Sequence, residues 1–297
     1  MQHIRFGDVE VIRVLEGQSP FAPAGRVFPD IAPETWRDQE SWLTPDFWDP
    51  AEEMFVAALQ TWVLRSEGRT ILVDTGIGRY RPAGTPFGRL RSPLVDRLAA
   101  VGVEPGEVDI VVNTHLHSDH VGWNTSERDG ALVPTFPHAR YLIPAPDNAA
   151  VDPSGPHRDR HTGDQARQQV FTESVLPLHE AGQAVLWEGS HRLDANLTLE
   201  AAPGHTPGSS LLRLHSAGDR AVFVGDILHS PVQIPDPDCN SCFCEDPAQA
   251  RATRRRVLEH AADNRELLIP AHFGGHGALE VAREGSRFAV TRWAAFS

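Results

Sequence analysis

No apolar run in the sequence approaches the ~18 residues that a bilayer-spanning helix needs, so no membrane association is expected. Cysteine is scarce: the 3 present, Cys239, Cys242 and Cys244, are odd in number and crowded into one short stretch. That spacing does not resemble a disulfide framework and agrees with a reducing compartment. Basic charge is in deficit, with 27 Lys and Arg against 40 Asp and Glu and a formal net charge of −13. Such a field repels phosphate backbones, so nucleic acid is not expected as a partner. The one dense basic run, Arg251 to Arg256, falls in an expected helix. The opening residues Met1 to Glu10 carry no positive-then-apolar export pattern, and a cytoplasmic location is expected. Internal repeats, heptads and low-complexity linkers are also lacking, as is a GxSxG nucleophile elbow.

What is present is a composition of 40% hydrophobic and 23% charged residues, which suits one globular domain over residues 1–297. Alternating or β-branched stretches predict strands at Val9 to Leu15, Ala57 to Arg65 and Arg69 to Asp74, the last two joined by a hairpin turn at Ser66 to Gly68. Residues 19–55 between them hold six prolines and many aromatics, too proline-rich for long regular elements. Further on, a helix is expected from Pro93 to Val101 and a buried strand from Val108 to Asn113. Tyr141 to Ile143 reads as a short strand and Gly163 to Ser174 as a helix. Ala184 to Trp187, Leu197 to Ala201, Ser210 to Leu214 and Ala221 to Val224 read as strands. Asp246-Pro247 has the form of an N-cap followed by a first-turn proline, opening a helix to about Ala262 ahead of a strand at Leu267 to Ile269. This order of elements suggests an α/β fold of two sheet halves with outer helices.

Histidine is the unusual count, at 15, and four potential ligands sit within six residues: His115, His117, Asp119 and His120. They follow a hydrophobic strand directly. Along an extended stretch alternate residues share a face, so His115 and His117 can grip one ion. After a bend, Asp119 and His120 can reach a second. Imidazole nitrogen with carboxylate oxygen suits zinc first, and iron, manganese or cobalt next. A polar surface loop would need no such spacing.

This HxHxDH pattern resembles the signature of the metallo-β-lactamase superfamily, and other stretches carry the likeness in the same order. They are Asp74-Thr75-Gly76, His205 within Pro203-Gly204-His205-Thr206-Pro207-Gly208, Gly225-Asp226, and His272 within Pro270-Ala271-His272. The resemblance implies a four-layer αββα sandwich and two divalent metal ions. His115, His117 and His205 would hold the first and Asp119, His120 and His272 the second, with Asp226 bridging. His276 rivals His272, but His272 directly follows its strand. Asp74 would orient a ligating imidazole rather than coordinate. The three cysteines match no common zinc spacing and are left out of the metal set.

Two bridged metals imply hydrolysis by a bridging hydroxide, with one metal polarising the substrate oxygen. Asp119, Asp226 and His229 are the expected catalytic groups. The context Gly225 to Gln233 resembles the branch that holds methyl parathion hydrolase and related lactonases and esterases. Acyl-homoserine lactonases commonly carry tyrosine where this chain has His229, which is read either as a proton donor to the leaving group or as a structural residue. A small-molecule lactone or carboxylic ester is the expected substrate, with phosphotriesters, thioesters and phosphodiesters as alternatives. The aromatic segment 19–55 stands as a lid, a core element or a contact in a homodimer. Trp123, close after His120, lies near the site or packs in the core.

Overall fold

The computed structural model describes residues 2–78, 94–155 and 165–296. Expected helix starts at Pro93 and Gly163 lie outside these residues. Two sheets face each other. The first contains β1 (Gln2–Phe6), β2 (Val9–Pro23), β3 (Trp48–Asp49), β4 (Met54–Ser66), β5 (Arg69–Val73), β6 (Ile110–Val112), β9 (Arg140–Pro144) and β10 (Ala184–Trp187). Its order is β1-β2-β4-β5-β6-β9-β10, with β3 beside β4, and β5, β6, β9 and β10 are mutually parallel. A separate ribbon pairs β7 (Thr125–Arg128) with β8 (Ala131–Pro134).

The second sheet runs in sequence order through β11 (Ser190–Arg192), β12 (Leu197–Ala201), β13 (Ser210–Ser216), β14 (Asp219–Gly225), β15 (Leu267–Pro270), β16 (Leu279–Glu284) and β17 (Arg287–Trp293). Only β14 and β15 pair in parallel there. The crossover between them is the helix Pro247–Asn264, whose Asp246 carboxylate accepts from Gln249 N at 2.9 Å as the N-cap should.

The two-residue period of a strand builds the layers. Ile71, Val73, Ile110 and Val112 point inward and meet Leu212, Leu214, Ala221, Phe223, Leu267 and Ile269 of the second sheet. Their neighbours point outward. Leu72 and Val111 pack with Leu94, Leu98, Val175 and Leu178 of the helices over the first sheet. Leu211, Val222, Val224 and Leu268 pack with Val257, Leu258 and Ala261 of the crossover helix. Two helix-covered outer faces around a shared sheet-to-sheet core give the αββα arrangement.

Several boundaries differ from expectation. β2 does not stop at Leu15 but runs to Pro23. β1 covers it only from Val9 to Arg13, so the rest is an edge, where proline's missing N–H costs no ladder bond. Bulges between Leu15 and Gly17 and between Pro20 and Ala22 shift its register with β4. Within 19–55, short helices at Ala24–Val27, Pro33–Asp38 and Glu40–Leu43 follow. Phe28, Trp36, Phe47, Trp48 and Phe55 are buried in the core beneath the crossover helix. The strand before the histidines is shorter than expected, Ile110–Val112. The hairpin of β16 and β17 was not foreseen.

The basic run lies in the crossover helix, as expected, but one of its arginines is buried. Arg254 is 1% exposed, and its guanidinium donates to Ile227 O (2.8 Å), Pro237 O (2.8 Å), Cys239 O (2.9 Å) and Asn240 Oδ1 (3.2 Å). It ties the loop 227–240 to the helix.

Candidate metal centre

Parallel strands deliver their successors to one edge of a sheet, where crevices form. Here β5 ends just before Asp74, β6 leads to His115, β14 ends before Asp226 and β15 before His272, so both sheets present side chains to the same rim. Backbone bonds lock the strand ends together: Asp74 N to Val112 O (2.8 Å), Ala271 N to Gly225 O (3.1 Å), Ala58 N to His272 O (3.0 Å) and Ser210 N to Thr114 O (3.0 Å). Asp119 and His120 ride on a single helical turn, Ser118–Val121, which supplies the bend expected after His117. That turn lies against the Asp74 loop so closely that a Cβ on Gly122 would stand 2.1 Å from the Ile77 backbone, so only glycine fits.

The seven sequence-predicted ligands come together in two groups, His115, His117, His205 and Asp226, and Asp119, His120 and His272. In the first, His117 Nδ1 stands 3.1 Å from His115 Nε2 and 2.9 Å from His205 Nε2. Asp226 Oδ2 lies 3.4 Å from His205 Nε2 and 3.8 Å from His115 Nε2. In the second, His120 Nε2 is 3.3 Å from His272 Nε2, and Asp119 Oδ2 is 3.9 and 3.5 Å from those two nitrogens. Asp226 Oδ1 completes it at 3.3 Å from His120 Nε2 and 3.1 Å from His272 Nε2. A tetrahedral zinc with bonds of about 2.0–2.1 Å separates its donors by about 3.3 Å, so these spacings fit one divalent cation per group.

Partners behind the rings support that fit. His120 Nδ1 donates to Asp74 Oδ2 at 2.8 Å, and His272 Nδ1 donates to Ala58 O at 2.9 Å. Thr114 Oγ1 donates to Asp74 Oδ2 (2.8 Å) and so accepts from His115 Nδ1 (3.1 Å). In its neutral form each of these rings spends its one proton on that bond, which leaves the Nε2 lone pair facing the cluster. Lone pairs then face lone pairs at about van der Waals separation or less, an arrangement a cation satisfies and hydrogen bonds do not. Asp226 Oδ1 is buried without a hydrogen-bond partner, as is His205 Nδ1.

Electrostatics follow the same division. Burial holds His115 and His205 well below the usual histidine range, and His117 below it, so their lone pairs stay free at neutral pH. Burial opposes the charged form of His120 too, but Asp226, Asp74 and Asp119 lift it well above that range. Burial would raise the Asp226 carboxyl, yet His272, His120, His229 and His115 hold it well below the carboxylate range.

His229 belongs to this cluster. It is 3% exposed, with Nε2 3.2 Å from Asp226 Oδ2 and its ring 4.9 Å from that of His205. Gln233 Oε1 accepts from His229 N at 2.8 Å and fixes its backbone. His276 does not belong: it is exposed and stacks on Trp293 with ring centres 6.1 Å apart. Trp123 packs with the core under the first sheet's helices.

Above the cluster opens a cavity of about 440 Å³ whose floor includes His117, Asp119, His205, Asp226, His229 and His272. Its walls are apolar: Phe21, Phe55, Ile77, Leu116, Val170 and Phe243. Phe21 and Phe55, both from the aromatic segment, meet edge to face at 6.5 Å, and Phe243 lies 6.1 Å from Phe21 and 5.8 Å from the His229 ring. The segment thus contributes two wall residues while most of its other aromatics serve the core.

The sequence reading missed Asp147. This 2%-exposed carboxylate accepts from Leu116 N (2.9 Å), Thr206 Oγ1 (2.9 Å) and Gly208 N (2.5 Å), and burial pushes its pKa up to about 6. An acidic residue early in the helix Ala145–Val151 reads in sequence as an ordinary favourable end charge, and nothing local marks it as buried.

Residues 59–272 match the family profile described as the metallo-beta-lactamase superfamily, and the chain belongs to that superfamily. Hydroxyacylglutathione hydrolase of Aeromonas hydrophila is 28% identical over 213 residues, or 71% of this chain. The chain spans only 59% of that relative's length. N-acyl homoserine lactonase of Bacillus thuringiensis is 24% identical over 270 residues, covering 85% of this chain and 91% of the relative. A solved structure of AidC, a dizinc quorum-quenching lactonase, has the same fold with a TM-score of 0.79, 19% identity, and coverage of 100% of this chain and 98% of that one. No helix among the described residues is long and apolar enough to cross a membrane.

Proposed function

We propose that the chain is a dinuclear metal-dependent hydrolase that opens a lactone or cleaves a carboxylic (aryl) ester of a small molecule. One observation carries the reading: the Asp226 carboxylate stands between the two donor groups, 3.4 Å from His205 Nε2 of one and 3.1 Å from His272 Nε2 of the other, on the floor of an apolar cavity. Two divalent cations, zinc before iron, manganese or cobalt, would supply Lewis acidity and a solvent acidic enough to attack at neutral pH. The chain's own residues do the rest. Phe21, Phe55 and Phe243 exclude water and take up an uncharged acyl or aryl group. His229, on the cavity floor beside Asp226, donates a hydrogen bond to the substrate oxygen or passes a proton to the departing alkoxide. Asp74 and Ala58 O orient His120 and His272.

Similarity to a hydroxyacylglutathione hydrolase favours a thioesterase as the second reading. The cavity weighs against a charged thiol carrier, since the one arginine among its described lining residues, Arg167, is held by Glu245 at 2.8 Å. A panel of lactones, aryl esters, thioesters, phosphotriesters and a phosphodiester, assayed beside metal analysis, tests the proposal. Expected are about two metals per chain and chelator-sensitive turnover of a lactone or aryl ester. Turnover confined to thioesters would favour the second reading, and turnover confined to the phosphodiester would overturn both.

A further inference from the structure

We infer that Asp147 is the positioning residue that fixes the three-histidine half of the centre across the two sheets. The inference rests on reading the two donor groups as metal sites. Asp147 touches no ligand itself; its three donors flank them. Leu116, whose N–H it accepts, stands between His115 and His117 on the loop that leaves the first sheet. Thr206 and Gly208 lie just after His205, on the loop between β12 and β13 of the second sheet. One carboxylate therefore ties together the two loops whose histidines approach to 2.9 Å at His117 and His205.

Two further features show that the contact is built in. A Cβ on Gly208 would stand 2.6 Å from Asp147 N and 2.7 Å from its Oδ1, so the close approach requires glycine there. Thr206 is itself held, with its N–H donating to Ser209 Oγ at 2.9 Å and its Oγ1 2.7 Å from the same atom. The Thr206 hydroxyl is thereby aimed at Asp147. A merely helix-capping acid would accept from its own first turn, whereas these acceptor bonds reach 31, 59 and 61 residues along the chain. Burying such a carboxylate costs several kcal/mol unless donors compensate it, and here the donors belong to the ligand loops. His120 and His272 lean on Asp74 and Ala58 instead, so Asp147 governs one site and not the other.

The test uses Co²⁺ titration against a competing chelator in two backgrounds. His272→Ala disables the second site and His117→Ala the first. Asp147→Asn keeps the size but sets an amide N–H₂ against one of the three donors. In the His272→Ala chain it is expected to weaken Co²⁺ binding by about 10–100-fold, the usual cost of losing a partner behind a ligand. In the His117→Ala chain the same substitution is expected to change binding by less than about twofold, by the same reasoning. Equal weakening in both chains, or none in either, overturns the inference. Failure of the His272→Ala chain to bind Co²⁺ at all overturns the metal reading beneath it as well. Should Asp147→Asn not fold, Thr206→Val removes one donor alone, and an unchanged Co²⁺ affinity in the His272→Ala chain then overturns the inference.

Discussion

Asp226 Oδ1 stands 3.1 Å from His272 Nε2, yet it accepts no hydrogen bond there. With its neutral ring's one proton committed to Ala58 O on the other side, His272 turns an imidazole lone pair toward the carboxylate. The other oxygen, Oδ2, stands 3.4 Å from His205 Nε2, 3.8 Å from His115 Nε2 and 3.2 Å from His272 Nε2. Replacing Asp226 by alanine removes a donor from both groups at once. Hydrolysis is expected to fall by about 10³-fold or more, because a metal centre contributes several kcal/mol to the barrier. Bound metal should drop below two per chain in the same sample. An Asp226→Ala variant with full metal and full turnover would refute the bridging role.

His229 offers a finer distinction. Its Nε2 sits beside Asp226 Oδ2 at 3.2 Å, but its backbone is fixed by Gln233 and not by any metal donor. His229→Gln is therefore expected to retain metal while kcat falls by about 10²-fold or more, the usual contribution of a positioned proton donor. KM should move little. Steady-state kinetics beside metal analysis reads both quantities, and an unchanged kcat would leave His229 a packing residue.

The legibility of these sites follows from where the information lies in the chain. His115 to His120 could be read because a hydrophobic strand and four donors are contiguous, and Asp226 and His272 because each directly follows a buried apolar strand. Asp147 could not, since its partners Leu116 and Gly208 are remote in sequence and only the fold brings them near. The burial of Arg254 within its basic run was not legible for the same reason, since Ile227 and Pro237 are brought to it only by the fold. Pro20 and Pro23 pointed to irregular structure after Leu15, yet β2 continues there because β1 has already ended and the strand has become an edge. The wall role of Phe21 and Phe55 depends on that continuation.

Arg254 connects stability to the His229 loop. Its guanidinium satisfies the carbonyls of Ile227, Pro237 and Cys239, and Gln233 Nε2 donates to Cys239 O as well. Arg254→Met keeps much of the volume but leaves Ile227 O and Pro237 O without this donor. A loss of about 2–6 kcal/mol in unfolding free energy is expected, from two buried acceptors at about 1–3 kcal/mol each. Urea denaturation measures it. A shift under about 0.5 kcal/mol, the range of ordinary surface changes, would mean that the loop holds itself.

Acid should act on Asp147 in a direction that its burial dictates. Burial, with Glu245 adding to it, pushes its carboxyl up to about 6 in the folded chain from an ordinary carboxyl value of 3.8. Between those two values the native state keeps a proton that the unfolded chain has released. The associated stabilisation is thus fully present below the unfolded value and is lost as pH rises through about 6. Asp147→Asn has no such group. In metal-free protein the other titrating side chains, the histidine cluster included, are common to both forms and cancel in the difference. Wild type is therefore expected to gain on Asp147→Asn by about 3 kcal/mol as pH falls from about 7 to about 4, the gap between the two values at 1.36 kcal/mol per unit. Urea unfolding of both proteins at stepped pH reads this directly. A difference that stays flat, or that shrinks on acidification, would mean that the carboxyl is not held in its ionised form against the cost of burial.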